Sequence, residues 1–157
     1  MGVRMFLLRG VSRLFVAILA VAAVLVVTAL PATAATGSVD LGGTATRVAN
    51  GAALDVPLTA SLTCDEGFES GAVSVAVTQS RGTSVVFGSG QSSTFTCTGE
   101  TQNITVRVFG GVFHGGPALA TAVVQQCRFE AGFGLVCRQT DISSSEEIII
   151  RGARPSG

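Results

Sequence analysis

The chain has 157 residues, of which 47% are hydrophobic and 13% are charged, and its formal net charge is zero. This length fits one ordinary domain, and the high apolar content excludes a disordered chain. A nucleic-acid-binding protein is also disfavoured, because the chain has no basic excess and contains neither Trp nor Tyr.

Residues 1–34 have the pattern of a secretory signal peptide, which we expect to be helical. Three arginines precede an apolar run over residues 14–30, and the small residues Ala32 and Ala34 follow it. We therefore predict cleavage after Ala34 or Ala35 and a secreted, extracellular protein. The alternative is an uncleaved segment that tethers the protein to a membrane, although a membrane-spanning helix needs about 20 apolar residues.

The part that remains after cleavage is predicted to be one domain over residues 35–151 with a flexible tail over 152–157. This mature chain contains no Lys, seven Arg and ten acidic residues, which gives a formal net charge of −3. A domain without Lys is typical of a genome rich in G and C. Together with the bacterial character of the signal, it suggests an actinobacterial source.

Apolar and polar residues alternate along the mature chain, which predicts β-strands. The clearest case is 52–64, where Pro57 requires a strand edge or a break because it has no N–H. Glycine-rich turns separate the strands at intervals of about 8–12 residues, as in a sandwich or a barrel. The predicted strands are 37–48, 52–64, 73–78, 85–87, 94–98, 104–108, 118–127, 133–138 and 148–151. Residues 88–90 are predicted to form a turn, and 141–147 a helical turn or a loop.

All four cysteines lie in the mature part, and an even number in an exported protein predicts two disulfides. Cys64 and Cys97 both follow the apolar alternation of their strands, so we expect them to point into the core and bond to each other. Cys127 and Cys137 flank a short glycine-containing segment, where a second disulfide would clamp a hairpin. A metal site would need more closely spaced cysteines with histidine support, and we expect no metal and no cofactor.

Several segments resemble a group of small exported actinobacterial domains that have an immunoglobulin-like sandwich and no assigned function. These segments are residues 75–79, 95–99, 102–108 and 116–118, the last leading to Cys127. The resemblance implies an all-β, immunoglobulin-like antiparallel sandwich. A weaker likeness is to the apoproteins of enediyne chromoprotein antibiotics, which are also exported sandwiches with two disulfides. Their cysteine pairs are short-range, and no ligand-binding residue is carried over from them.

The residue types that catalysis requires are not assembled in this sequence. His114 is the only histidine, and no G-x-S-x-G sequence supplies a nucleophile for it. The paired carboxylates, such as Glu146 and Glu147, have no Trp or Tyr with which to build a sugar-binding cleft. We therefore expect that the protein is not an enzyme.

The most unusual segment is 110–116, which is rich in glycine, uncharged and tipped with an aromatic residue. One interpretation is a binding loop at an end of the sandwich, with Phe68, Phe113 and His114 as the exposed contacts. The alternative is a flexible turn between strands. Phe87, Phe95 and Phe133 are expected in the core.

These patterns favour a secreted, non-enzymatic binding module for an extracellular protein or a small apolar molecule. We expect no nucleic acid partner, and membrane contact only through the signal peptide during export. The alternative is a structural or stress-resistant envelope protein that has no specific ligand.

Overall fold

The computed structural model describes residues 34–152, and within them the chain forms nine strands and one short 3-10 turn. This confirms the all-β class. The strands are β1 (Thr36–Asp40), β2 (Thr44–Val48), β3 (Ala53–Thr63), β4 (Ser70–Arg81), β5 (Ser84–Gln91), β6 (Phe95–Thr96), β7 (Gln102–Gly110), β8 (Gly116–Glu130) and β9 (Gly134–Arg151). The predicted signal peptide up to residue 33 and the tail from 153 lie outside the described residues.

Seven of these strands close into a barrel-like ring. The order around the ring is β3-β2-β9-β8-β4-β5-β7, and β7 pairs with β3 again. Neighbours run antiparallel except β2 and β9, which are parallel. Three joints are short, because β2 shares three residue pairs with β3 and three with β9, and β5 and β7 share two. The sheet is therefore continuous around the core.

Pro57 lies at a break in one edge of β3, as its missing N–H predicts. On that edge β1 pairs with residues 59–63 and β2 with residues 53–55. Residues 56–58 are left between these two partners, while the opposite edge pairs Pro57 with Thr105 of β7. The proline thus occupies a position where no ladder hydrogen bond is lost.

Alternate residues of the long strands fill the inside of the ring, as the period-two pattern predicts. The fully buried side chains of this core include Leu54, Val56, Leu62, Val73, Val75, Val77, Val106, Val108, Ala120, Ala122, Val124 and Ile148. Burial of one Val, Leu or Ile side chain contributes about 1.5–3 kcal/mol. The core is therefore the main source of stability in the domain.

The prediction of a turn or loop over 141–147 is wrong, because these residues belong to β9. Residues 143–147 pair with residues 119–123 of β8, and residues 141–142 lie at the register shift between Val123 and Gln125. Ser, Asp and Glu have low β-propensity, but the long partner strand supplies the ladder that holds them extended.

The predicted turn at 88–90 is also wrong, because Gly88 and Gly90 lie inside β5. Gly88 faces Gly110 of β7 across the short joint that closes the ring. A Cβ on Gly88 would lie 2.7 Å from the carbonyl oxygen of Phe109 and 2.8 Å from Cζ of Phe113. These glycines therefore allow two backbones to approach closely.

The two disulfides join the expected pairs, Cys64 with Cys97 and Cys127 with Cys137. Cys64 and Cys97 are half-buried and pack against the core just beyond the ends of β3 and β6. Cys127 and Cys137 stand directly opposite each other on β8 and β9. The second bond therefore clamps the hairpin that these two strands form.

Candidate functional site

The segment between β7 and β8 is packed into the protein, and Phe113 is completely buried. Its N–H donates a hydrogen bond to the carbonyl of Gly51 at 2.8 Å. Its ring lies against Gly88, where a Cβ would leave only 2.8 Å to Cζ. The prediction that Phe113 is an exposed contact is therefore wrong. Its phenyl side chain completes the core where β5 pairs with β7.

Gln79 fixes the same segment from β4. Its Nε2 donates to the carbonyls of His114 at 3.0 Å and Pro117 at 3.4 Å, and its Oε1 accepts from the His114 N–H at 2.9 Å. His114 is half-buried, and these bonds hold its backbone. The sequence analysis did not identify the role of Gln79. Its position two residues after Val77, in the alternation of inward residues of β4, indicates a buried polar side chain that needs hydrogen-bond partners.

Phe68 is half-buried and packs against two guanidinium groups. Arg128 Cζ lies 5.3 Å and Arg138 Cζ lies 5.0 Å from the centre of its ring, which are cation–π distances. These arginines lie at the end of β8 and on β9 opposite it, whereas His114 precedes the start of β8. The structure therefore does not bring Phe68 and His114 together.

Two of the three phenylalanines expected in the core are exposed instead. Phe95 is 9% exposed, as predicted, but Phe87 is 59% and Phe133 is 83% exposed. Phe87 stands on the outward alternation of β5, and Phe133 lies in the turn between β8 and β9. The outer surface of the sheet therefore carries exposed aromatic side chains, which makes it a candidate for binding.

An open groove of about 430 Å³ lies on the outer face of β5, β4 and β8. Its lining residues are Ser74, Val75, Ala76, Ser89, Gly90, Gln91, Thr121 and Val123. Ser89, Ala76 and Thr121 stand side by side on the three strands, so their side chains share one face. The floor of this groove, which we call the outer groove, is therefore made of small side chains.

Large apolar side chains border the outer groove at one end. Phe87 and Leu119 flank Thr78 in the next row, and Phe109 stands opposite Ser89. Their exposed fractions are 59%, 53% and 61%, respectively. The groove thus combines a small-residue floor with an apolar border.

Amide and hydroxyl groups lie at the other end and along the floor. Gln91 Nε2 donates to Gln125 Oε1 at 2.8 Å, and the hydroxyls of Thr121 and Ser145 are 3.0 Å apart. No charged side chain lines the groove. Because an unpaired charge is costly to bury, this lining suits an uncharged group.

The ion pair of Asp55 and Arg107 lies on a different part of the ring, between β3 and β7. Arg107 donates to both carboxylate oxygens, at 2.8 and 3.0 Å. These hydrogen bonds raise the pKa of the Arg107 guanidinium above its ordinary value, with a further contribution from the charge of Asp55. The pair is exposed and does not contribute to the outer groove.

Within residues 34–152, no group of three or more His, Cys, Asp or Glu side chains is placed to hold a metal ion. In the same part of the chain, no helix has the length and apolar character that crossing a membrane requires. No protein-family profile matches the chain, and no curated protein matches it either. Functional inference therefore depends on the outer groove.

Proposed function

We propose that the chain is a secreted, non-enzymatic binding module that takes an apolar group of an extracellular protein or small molecule into the outer groove. The observation that carries the proposal is a concave floor of small side chains beside three exposed large ones, Phe87, Phe109 and Leu119. Ligand pockets commonly have volumes of about 300–1,000 Å³. Clustered exposed apolar groups are typical of interaction sites.

The proposal includes an immunoglobulin-like fold. Its support is that β3 pairs with β1 on one edge and with β7 on the other, which is the order of one sheet of such a sandwich. The strands β9, β8, β4 and β5 follow in the order of the other sheet. In this proposal β2, through its short pairings with β3 and β9, and the short β5–β7 pairing connect the edges of two facing sheets.

Secretion is supported by the two disulfides, because such bonds persist in oxidising compartments outside the cytosol. The signal-like sequence of residues 1–34 supports the same location. The proposed actinobacterial origin follows only from the composition and the signal.

A variant that fills the outer groove tests the proposed binding. Ala76→Leu places a larger side chain on the floor, whereas Thr105→Leu adds similar bulk to the exposed side of β7 and serves as the control. We expect the oxidised wild-type protein and the control to bind Nile red, an uncharged apolar dye, with equal affinity. The groove variant should bind at least about tenfold more weakly, since a blocked pocket loses its buried contacts.

Capture from the medium of the producing culture, with mass spectrometry of the retained material, identifies the natural ligand. The wild type and Thr105→Leu should retain the same compound or protein, and Ala76→Leu should lose it. Equal dye binding and equal capture by all three proteins would overturn the proposal.

The second candidate is a structural envelope protein without a specific ligand. The closed ring and the two disulfides favour it, because both stabilise the domain whether or not a ligand is present. It predicts that Ala76→Leu changes neither dye binding nor capture, so the same experiment separates the two functions.

A further inference from the structure

Most exposed large apolar side chains of the described chain gather on one face. They stand at outward positions of β5, β8 and β9: Val85, Phe87, Leu119, Phe129, Leu135 and Ile149. Their exposed fractions range from 41% to 73%. The outward positions of β1, β3 and β7 are mainly Thr, Ser, Asp, Asn and Arg instead. An apolar face of this kind is typical of an interaction surface.

The same face carries very little charge. On this part of the face, from the row of Phe87 to the row of Cys127, the charged exposed side chains are Glu147 and Asp141 of β9. The centres of protein interfaces are depleted in charged residues. This composition therefore favours a protein surface as the partner of the face.

One end of this face is a projecting apolar hairpin, which we call the hairpin tip and define as residues 128–136. Phe129 is 73% exposed, Leu135 opposite it is 54% exposed, and Phe133 in the turn is 83% exposed. The Cys127–Cys137 disulfide closes its base. The hairpin tip is thus an apolar projection on the same molecule that carries an apolar depression.

Side chains on the reverse of the hairpin hold it in place. Phe68 packs against Arg128 and Arg138, and Asp65 accepts a hydrogen bond from Gln126 Nε2 at 2.6 Å and a second one from Arg138. These contacts orient Phe129 and Leu135 outward. A preorganised projection loses less conformational entropy when it binds.

The projection and the depression are related by a simple symmetry. Along β8, Phe129 lies four residues after Gln125. Thr121, on the floor of the outer groove, lies four residues before Gln125. A twofold axis through Gln125, in the plane of the face and across the strands, places Phe129 of one copy over Thr121 of the other. The reciprocal contact forms at the same time, which is the requirement for a closed dimer.

We propose that the chain forms a twofold dimer in which Phe129, on the hairpin tip of each copy, packs against Thr121 on the β8 side of the outer groove of the other. This inference rests on the proposed function, because it names the occupant of the same groove. Four strands about 4.8 Å apart and ten residues at about 3.3 Å each cover roughly 600 Å² per copy. The resulting total of about 1,200 Å² is at the lower limit for specific interfaces, so the dimer dissociates on dilution.

Sedimentation equilibrium of the secreted, oxidised protein across the micromolar range tests the dimer. We expect a concentration-dependent dimer for the wild type. Phe129→Arg and Thr121→Glu should each weaken it at least about tenfold, because interface anchors carry most of the binding energy. Val112→Ser removes a side chain that is 57% exposed but lies outside the four strands of this face, so it should leave the dimer unchanged.

An equimolar mixture of Phe129→Arg and Thr121→Glu provides the decisive measurement. In the mixed dimer one contact joins the introduced arginine to the introduced glutamate, and the other keeps the native Phe–Thr contact. The mixture should therefore dimerise more tightly than either variant alone. Circular dichroism and intact mass establish that each variant is folded and oxidised.

A monomeric wild type, unchanged dimers in both variants, or a mixture that does not associate would each overturn the inference. If groove-dependent dye binding persists in a monomeric wild type, only the dimer is refuted and the binding module stands. If dye binding is also insensitive to Ala76→Leu, both proposals fail.

Discussion

Gln79 and Phe113 are the two side chains that hold the segment between β7 and β8 in place. One supplies three hydrogen bonds from a buried amide, and the other fills the core beside Gly88. The glycine-rich sequence around Phe113 is therefore compatible with a packed segment, because anchoring by these two side chains restricts the conformations of the other residues in it. The proposed binding surface lies on the strands and not on this loop.

Replacing Gln79 with Leu should destabilise the domain by about 2–3 kcal/mol. The variant leaves the His114 N–H and two carbonyls without their partner, and buried unsatisfied groups cost about 1–3 kcal/mol. Urea unfolding of the oxidised protein measures the effect. Gln91→Leu is the matched control, because Gln91 is exposed. Equal midpoints for the two variants would contradict the assigned role.

At this scale the sequence predicts side-chain direction only where the strand alternation is regular. It places Val73, Val75 and Val77 inside correctly. It fails for Phe113, which lies outside the strands, where no periodicity indicates whether a ring is buried. It also fails for Phe133, because the alternation over 133–138 predicts a core face, whereas Phe133 lies in the turn before β9 and Leu135 is exposed as well. Phe87 follows the outward alternation of β5. The sequence does not reveal this, because residues 85–87 are all apolar and show no alternation.

Among the strands, the pairing of β5 with β7 depends on glycine. Gly88 and Gly110 face each other where the two backbones approach. The sequence cannot distinguish this use of glycine from a turn, because the partner strand is some twenty residues away. The same limit applies to 141–147, whose extended form comes from pairing with β8.

Gly88→Ala should cost about 1–3 kcal/mol through overpacking, because the added methyl group would meet the Phe109 carbonyl and the Phe113 ring. Thermal unfolding followed by circular dichroism measures the change. Gly115→Ala is the control, since its Cβ would lie at an ordinary 3.6 Å from the Ile150 carbonyl. If Gly115→Ala lowers the midpoint as much as Gly88→Ala does, close approach is not the reason for glycine at position 88.

For the whole molecule, the cysteine positions predicted the covalent links, because alternation and spacing left few plausible partners. They did not predict closure of the sheet. Closure depends on three joints of two or three residue pairs each, and such short pairings leave no pattern in the sequence. The outer groove was also unpredictable, since its floor combines residues from three strands.

The intact mass of the secreted protein tests the predicted cleavage and the disulfides together. We expect a chain that begins at Ala35 or Thr36, and we expect reduction to add the four hydrogens of two disulfides. A mass that retains residues 1–34 would support the tethered alternative. A mass unchanged by reduction would contradict the disulfides.

The parallel pairing of β2 with β9 has a consequence for the order of events during synthesis. β2 is made early, but one of its two neighbours in the ring is the end of β9, at Ile149–Arg151, about a hundred residues later. A nascent polypeptide emerging from the ribosome therefore cannot complete its hydrogen-bonded circuit until β9 is available. Such distant contacts slow folding. The sheet of the growing chain therefore stays unclosed for most of translation, and in that state the chain can still be threaded through a pore.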